Sequence, residues 1–440
     1  MNRFFYTLLI CLLSPGLMVW MALRARRAGG QWQVMSGERR GRYSSPSSLT
    51  DPVWVHAVSL GETRAAEPFI RALLDKGEAV LLTHMTATGK AEGGRSFAAA
   101  IERGQLVQQW LPYDFPGPVK RFMRHYRPRA GVLIEREVWP NLLAAAKNEG
   151  IPMLLASARL SDHALSQALR IGSVMRRAYA SFYAVYAQTL QDAQRLEQAG
   201  AHAARVSGNF KFDVTLSDTQ IQQGHDFANQ LGRKVLAIAS TREGEDEPFI
   251  RAIEQAVKRA SAQGRDLQDE LLICIIPRHP QRFDSAAELL ERSSLPFVRR
   301  TGYLHEGEGS AVAARACEGK LIVLGDTLGE MAYYYAASQL AIIGGSFEPL
   351  GGQNFIEACA IGVPVIVGPH TRNFEQAVVD AMDEGAALRA VNPDAAFKQA
   401  LQLLNEPQRL SRMGEAGTHW VQKHTGAVSR VIATLDTLRR

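Results

Sequence analysis

Apolar and polar positions alternate along this chain in two different rhythms. The first twenty-odd residues are different again. From Phe4 to Leu23 there is no charge and the run is mostly apolar (FFYTLLICLLSPGLMVWMAL). That is close to the ~20 residues a helix needs to cross a bilayer. Arg3 precedes it, and Arg24, Arg26, Arg27, Arg39, Arg40 and Arg42 follow, opposed only by Glu38. This places the C-terminal side in the cytosol. A cleaved signal peptide carries its positive charge before the apolar run and small residues after it, the opposite arrangement. Pro15 and Gly16 permit a kink, so an insertion that lies in the membrane surface without spanning it stays open.

After a polar stretch, Gly41 to Pro52, short apolar runs alternate with helical patterns. The runs are Val53–Val58, Ala79–Thr83, Ala130–Ile134, Met153–Ala156 and Tyr183–Ala187, with amphipathic segments such as Thr63–Leu74 and Trp139–Asn148 between them. Short buried strands separated by helices predict βαβ units and a parallel sheet. The rhythm restarts at Val235–Ala239 and continues through Leu271–Ile276, Leu321–Leu324, Leu340–Ile343 and Val363–Val367. The expected organisation is an anchor with the start of a basic stretch (1–27), a linker (28–52), an α/β domain (53–213), a connector (214–233) and a second α/β domain with C-terminal helices (234–440). The fold class is α/β, two doubly wound parallel-sheet domains facing a cleft. Ligands in such sheets bind beyond the carboxyl ends of the strands.

Composition narrows the class. At 46% hydrophobic and 21% charged residues the chain is globular, not disordered. A net charge of +6 suits an anionic partner, but much of the excess lies in the arginines after the apolar run and no base-stacking motif appears, so nucleic acid is not expected. The four cysteines are far apart and form no CxxC, which argues against a disulfide framework or a zinc site.

Chemistry-bearing residues sit at the ends of the predicted strands. In the second half, Gly344-Gly345-Ser346-Phe347-Glu348-Pro349-Leu350-Gly351-Gly352-Gln353-Asn354 follows a strand and opens a helix. Glycines let a backbone approach an anion closely, and helix N-termini direct N–H groups at it. Glu357, three residues after Asn354, is placed to accept from ribose hydroxyls; a capping box from Asn354 to Glu357 is the purely structural reading. Arg278 in Ile276-Pro277-Arg278-His279-Pro280, the early helix residues of Gly325-Asp326-Thr327-Leu328-Gly329-Glu330-Met331, and Ser240-Thr241-Arg242 add three more strand-end loops. Four on one half favour a nucleotide site, with Gly345 and Ser346 as further contacts.

The first half is acidic at its strand ends. In His56-Ala57-Val58-Ser59-Leu60-Gly61-Glu62-Thr63 a strand leads through Gly61 into a helix, with Glu62 at its start. A carboxylate there can serve as general base or simply suit the helix dipole. Glu135 and Glu137 follow another strand in Glu135-Arg136-Glu137-Val138-Trp139-Pro140-Asn141; Glu135 has Arg136, Arg129 and Arg159 as possible ion-pair partners. Lys211, in Gly208-Asn209-Phe210-Lys211-Phe212-Asp213, reads either as a stabiliser of developing negative charge or as a surface lysine.

On the segments HAVSLGET, EREVWPN, GNFKFD, IPRHP, GDTLGEM and GGSFEPLGGQNFIEA, in that order along nearly the whole chain, the sequence resembles the 3-deoxy-D-manno-octulosonic acid (Kdo) transferases of lipopolysaccharide biosynthesis. The resemblance implies the GT-B fold and an inverting glycosyltransferase that moves Kdo from CMP-Kdo to lipid IVA, the lipid A precursor. It implies Glu62 as general base and Glu135 with Lys211 as transition-state stabilisers. Pro277, Arg278, Gly329, Glu330, Met331 and the run Asn354, Phe355, Ile356, Glu357 would bind CMP; Ser240, Arg242, Gly61, Glu137, Gly345 and Ser346 are additional candidates. The sequence departs from the family pattern at Gln353 and at Phe355-Ile356, where His and Pro-Leu are expected, and at Arg136, where a small polar residue is expected. The implied setting is the inner membrane, with one N-terminal anchor and catalytic domains facing the cytoplasm. No cofactor or obligatory metal is expected, since no Asp-x-Asp pair stands at a strand end. The competing readings are a UDP-sugar transferase or epimerase on the same fold and a non-catalytic nucleotide-binding scaffold; the acidic cluster argues against the scaffold.

Overall fold

A computed structural model describes residues 1–27, 32–304 and 309–438. Parts of the expected linker and of the C-terminal domain, together with the side chains of Arg24 and Arg27, lie outside the described residues. The chain forms two compact units, Met1–Asp213 with His424–Arg440, and Val214–Lys423.

In the first unit seven strands make one parallel sheet: β1 (Val53–His56), β2 (Val80–His84), β3 (Leu106–Trp110), β4 (Ala130–Ile134), β5 (Met153–Ala158), β6 (Ala184–Ala187) and β7 (Arg205–Val206). Their order is β3-β2-β1-β4-β5-β6-β7. Helices cover both faces, which explains the unbroken apolar runs. Val53 and Val55 enter one core with Phe69, Leu82 and Val132. Trp54, between them, enters the other with Leu81, Phe122 and Leu133. The second unit repeats the design with β8 (Lys234–Thr241), β9 (Leu271–Pro277), β10 (Phe297–Arg299), β11 (Ile322–Leu324), β12 (Leu340–Ile343), β13 (Val365–Val367) and β14 (Ala387–Arg389). Their order is β10-β11-β9-β8-β12-β13-β14, again with parallel pairing throughout. The strand order reverses between β1 and β4 in one sheet and between β8 and β12 in the other. Ligands bind at such points.

Four features differ from expectation. The edge strands β3, β7, β10 and β14 carry no long apolar run; β3 contains two glutamines, and the others are two or three residues long. The segment expected as a connector is the helix Asp218–Leu231, and it belongs to the second unit. A Cβ on its Gly224 would come within 2.4 Å of the Tyr333 carbonyl, and its Phe227 packs against the Tyr333 ring at 5.7 Å. The last helix, Ala427–Thr437, returns to the first unit and buries Val428, Val431 and Leu435 in the core that holds Phe69 and Phe210. Asp213 caps it, accepting from Gly426 N (2.5 Å) and Val428 N (2.7 Å).

The fourth is the described part of the expected linker, 32–52, which is packed structure. Arg39 is fully buried, donates to the carbonyls of Trp32 (3.0 Å) and Met85 (2.9 Å), and stacks 4.2 Å above the Trp110 ring. It is therefore not one of the surface arginines.

The helix α1 (Arg3–Arg27) forms where the apolar run predicts it. Among the described residues no helix is long and apolar enough to cross a membrane. α1 lies along the first unit instead. Tyr6 Oη donates to Asp114 (3.0 Å), Thr7 Oγ1 donates to Asn141 (3.1 Å), and Met18, Met21 and Ala25 pack against Val34, Tyr113 and Phe115. Its other side leaves Phe4 71% and Leu12 70% exposed, along with Leu8, Leu13, Val19, Trp20 and Leu23.

Candidate active site

In the first unit, β1 runs through Ala57-Val58-Ser59 into α2 (Leu60–Asp75). Ser59 is the N-cap, and Glu62 folds back so that its Oε2 accepts from Val58 N at 2.6 Å. Its place at the helix start therefore also gives it a structural part, receiving a main-chain donor there. The same carboxyl is nevertheless pushed up to about 8, first by burial, then by the charges of Glu137 and Glu135, against the pull of the Val58 and Ser59 amides. A carboxyl poised near the working pH is what a general base requires.

Glu135 directly follows β4, on the other side of the strand-order reversal. It is buried and sits at φ +61°, a left-handed conformation that costs a non-glycine residue of order 1 kcal/mol. The turn aims its carboxylate at Arg159, whose Nε and Nη2 both donate to Oε2 at 2.9 Å. Of the three arginines the sequence offered as partners, the fold selects the one that follows β5. Glu137 Oε2 accepts from Trp139 Nε1 at 2.7 Å, and burial pushes this carboxyl up to about 6.

Lys211 is placed by its neighbours. Phe210 stacks on Phe69 of α2 at 5.2 Å and Phe212 packs against His424 at 4.7 Å, so the short 3-10 turn between them is fixed. Burial lowers the Lys211 pKa, Glu135 and Glu62 oppose that, and Arg159 reinforces it. The fold therefore gathers Glu62, Glu135, Glu137 and Lys211 from three separate segments into one field. Around them stand residues the motifs did not flag. Ser157, at φ +49° near the end of β5, donates to Asn209 Oδ1 (3.3 Å), and Gln188 Nε2 donates to the Ser157 carbonyl (2.8 Å). Nothing in the sequence marked them, since the left-handed turn at Ser157 exists only in the fold. Gly61 lines the start of α2 and is exposed.

In the second unit the nucleotide candidates gather at the carboxyl ends of β8, β9, β11 and β12. Arg278 N donates to the Thr241 carbonyl (2.9 Å), which joins the Pro277-Arg278 turn to Ser240-Thr241-Arg242; Ser240 sits at φ +59°. The buried Tyr335 hydroxyl is raised by burial and by Glu357 and relieved by Arg278, so these two lie in one neighbourhood. Asn354 caps its own turn, donating through Nδ2 to Glu357 (2.8 Å) and accepting from Ile356 N (3.2 Å).

Several candidates play other parts. Phe355 stacks on Trp420 at 5.6 Å, and both it and Ile356 are core residues. The Glu330 carboxylate accepts from Arg300 Nη2 (2.9 Å) and from Thr327 Oγ1, and its carbonyl from Tyr334 N (3.2 Å), so it is engaged within the chain. Gly329, at φ +80°, gives its carbonyl to Gln220 (2.8 Å), and Met331 opens the helix Met331–Ala337. Ser346 is fully buried, bridging the Ile343 carbonyl (2.5 Å) and Gly368 N (2.7 Å). Arg242 is ion-paired with Glu243 at 3.0 Å, and Gly345 N donates to Glu245 at 2.6 Å. The expectation that this loop keeps its N–H groups for a phosphate is corrected in that respect. Among the described residues no group of three or more His, Cys, Asp or Glu could hold a metal ion.

Two doubly wound parallel sheets, each with its candidate residues at the order reversal, define the GT-B fold. MurG of Acinetobacter baumannii shares the fold, with a TM-score of 0.50 and 13% identity over 88% of this chain and all of that one. The family described as 3-deoxy-D-manno-octulosonic-acid transferase (kdotransferase) matches residues 35–214, and glycosyl transferases group 1 matches 311–420. The chain is 53% identical to the 3-deoxy-D-manno-octulosonic acid transferase of Bordetella pertussis across 99% of both proteins, and 28% identical to that of Haemophilus influenzae across 99% and 98%. It belongs to the 3-deoxy-D-manno-octulosonic acid transferase family.

Proposed function

We propose that this enzyme transfers Kdo from CMP-Kdo to lipid IVA with inversion at the anomeric carbon. The observation that carries the reading is the Glu62 carboxyl, held at an order reversal and pushed up to about 8 among Glu137 and Glu135. In the proposed step a sugar hydroxyl of the acceptor attacks the anomeric carbon. The new C–O bond forms as the bond to the CMP phosphate breaks, the hydroxyl proton passes to Glu62, and CMP leaves as an anion. The Lys211 cation, beside Glu135, offsets negative charge developing nearby. CMP binds at the strand ends of the second unit, with Arg278, Asn354 and Glu357 as its side-chain contacts. No step is assigned to a metal.

The same proposal includes the cytoplasmic face of the inner membrane. The seating of α1 along the first unit supports a helix that lies in the leaflet with its exposed side, Phe4 to Leu23, in the lipid. Arg3 and Arg26, both exposed, would meet anionic headgroups. Flotation with vesicles of inner-membrane lipid should recover the whole chain and lose it when residues 2–27 are deleted; equal flotation of the truncated protein would remove α1 from this role.

The deciding experiment is a transfer assay on purified protein in detergent, with CMP-Kdo and lipid IVA and mass spectrometry of the lipid. A gain of one or more Kdo units is expected. No transfer, with tight binding of a uridine nucleotide, would overturn donor and acceptor together.

A further inference from the structure

The loop that the sequence offers as a phosphate cradle already holds an anion, and that anion is part of the chain. Glu245 lies in the turn after β8, beside the point where the strand order reverses, and is 1% exposed. Its Oε2 accepts from Arg242 N at 2.8 Å and Gly345 N at 2.6 Å. Its Oε1 accepts from Phe347 N at 2.9 Å and Glu348 N at 3.4 Å. Main-chain donors from two loops a hundred residues apart thus converge on one carboxylate. Gly345, at φ +66°, turns the loop so that its amides point inward, the arrangement that elsewhere receives phosphate.

The consequence is a matter of charge and of donors. Amides committed to Glu245 are not available to a ligand; burial pushes its pKa up and the four amides pull it back down, and a second phosphate would meet this buried carboxylate where screening is weak. Rejection of a competing ligand by an unmatched charge is a recognised route to specificity.

We propose that Glu245 is a specificity-determining residue of the donor site: its carboxylate fills the anion nest of the glycine loop, so the site takes a nucleotide with one phosphate and rejects a nucleoside diphosphate. This rests on the reading of the second unit as the donor site and adds the phosphate count that the site enforces.

Calorimetry on the full chain in detergent tests it, with the pairs CMP/CDP and UMP/UDP as probes. The wild type should bind the monophosphate at least ~10-fold tighter than the diphosphate of the same base, a difference of about 1.4 kcal/mol. Glu245→Ala empties the nest, so the ratio should narrow or reverse, and added acetate should restore it. Glu245→Gln keeps the shape and one acceptor and serves as a second variant, with thermal melts reporting whether each is folded. A wild type that binds CDP as tightly as CMP overturns the proposal without recourse to any variant. So does a folded variant in which both affinities fall together and the ratio stays fixed, since that is the signature of a purely structural carboxylate. A preference for the uridine pair would overturn the cytidine donor instead, and the mono-to-diphosphate ratio would still decide the role of Glu245.

Discussion

The two order reversals use the same backbone device for opposite ends. Each has a polar residue in a left-handed conformation at a strand end, Glu135 at φ +61° in the first unit and Ser240 at φ +59° in the second. Each has a carboxyl set into the turn after its first strand, Glu62 after β1 and Glu245 after β8. Glu245 takes main-chain donors on both oxygens and is enclosed by them. Glu62 takes Val58 N at 2.6 Å, but burial first and the charges of Glu137 and Glu135 next outweigh its amide donors, and its pKa is pushed up to about 8. A carboxylate ringed by main-chain donors is held in place; one beside like charges is poised to take a proton.

The largest effect should come from removing the poised group. Glu62→Gln should lower the transfer rate by ~10²–10⁴, the range for a general base, while CMP affinity is unchanged. Product formation under single turnover checks the first and calorimetry the second; near wild-type transfer would show that another group takes the proton. The same variant should melt higher than wild type at pH 9. A carboxyl with a raised folded pKa favours folding below its unfolded value, and that contribution is lost as pH rises through the folded value near 8.

Next come the two halves of the Asn354–Glu357 run. Phe355→Ala removes a ring stacked on Trp420 in the core and should cost roughly 3–5 kcal/mol of stability by chemical denaturation. Asn354→Ala removes a cap and should cost only ~1 kcal/mol, yet raise the KM for the donor more than that for the acceptor. A larger donor KM effect in a folded Phe355 variant than in the Asn354 variant would reverse this assignment.

The smallest effect is a shift along the pH axis. In wild type, kcat/KM should rise with pH toward a limb near 8, because the base acts ionised. Glu137→Gln removes one of the charges that hold the Glu62 proton on, so the limb should move to lower pH. An unmoved limb would leave burial and Glu135 as the causes.

Much of this was legible in the sequence. The core strands of both sheets are buried on two faces, so their runs are continuous and easily seen: Ala130–Ile134 and Leu340–Ile343 have the same limits in chain and fold. The strand-end motifs were legible because function needs polar residues where packing would not choose them. The edge strands were not, since β3 gains its place from pairing with β2 and not from its own glutamine-bearing sequence.

What the chain determined by itself is the alternation of buried strands and helices, the two-unit plan and the residues able to do chemistry, all set by local pattern and side-chain type. What only the tertiary structure decided is how each of those residues is used. Arg39 became a core cation over Trp110, Ser346 a buried bridge, Phe355 a core ring, and α1 a helix seated on the first unit. Glu245 became the anion of the glycine loop because its partners, Gly345 and Phe347, arrive from a hundred residues away. A pKa, an ion pair or a filled anion site depends on what lies within a few ångströms, and distance in space is the quantity a sequence does not carry.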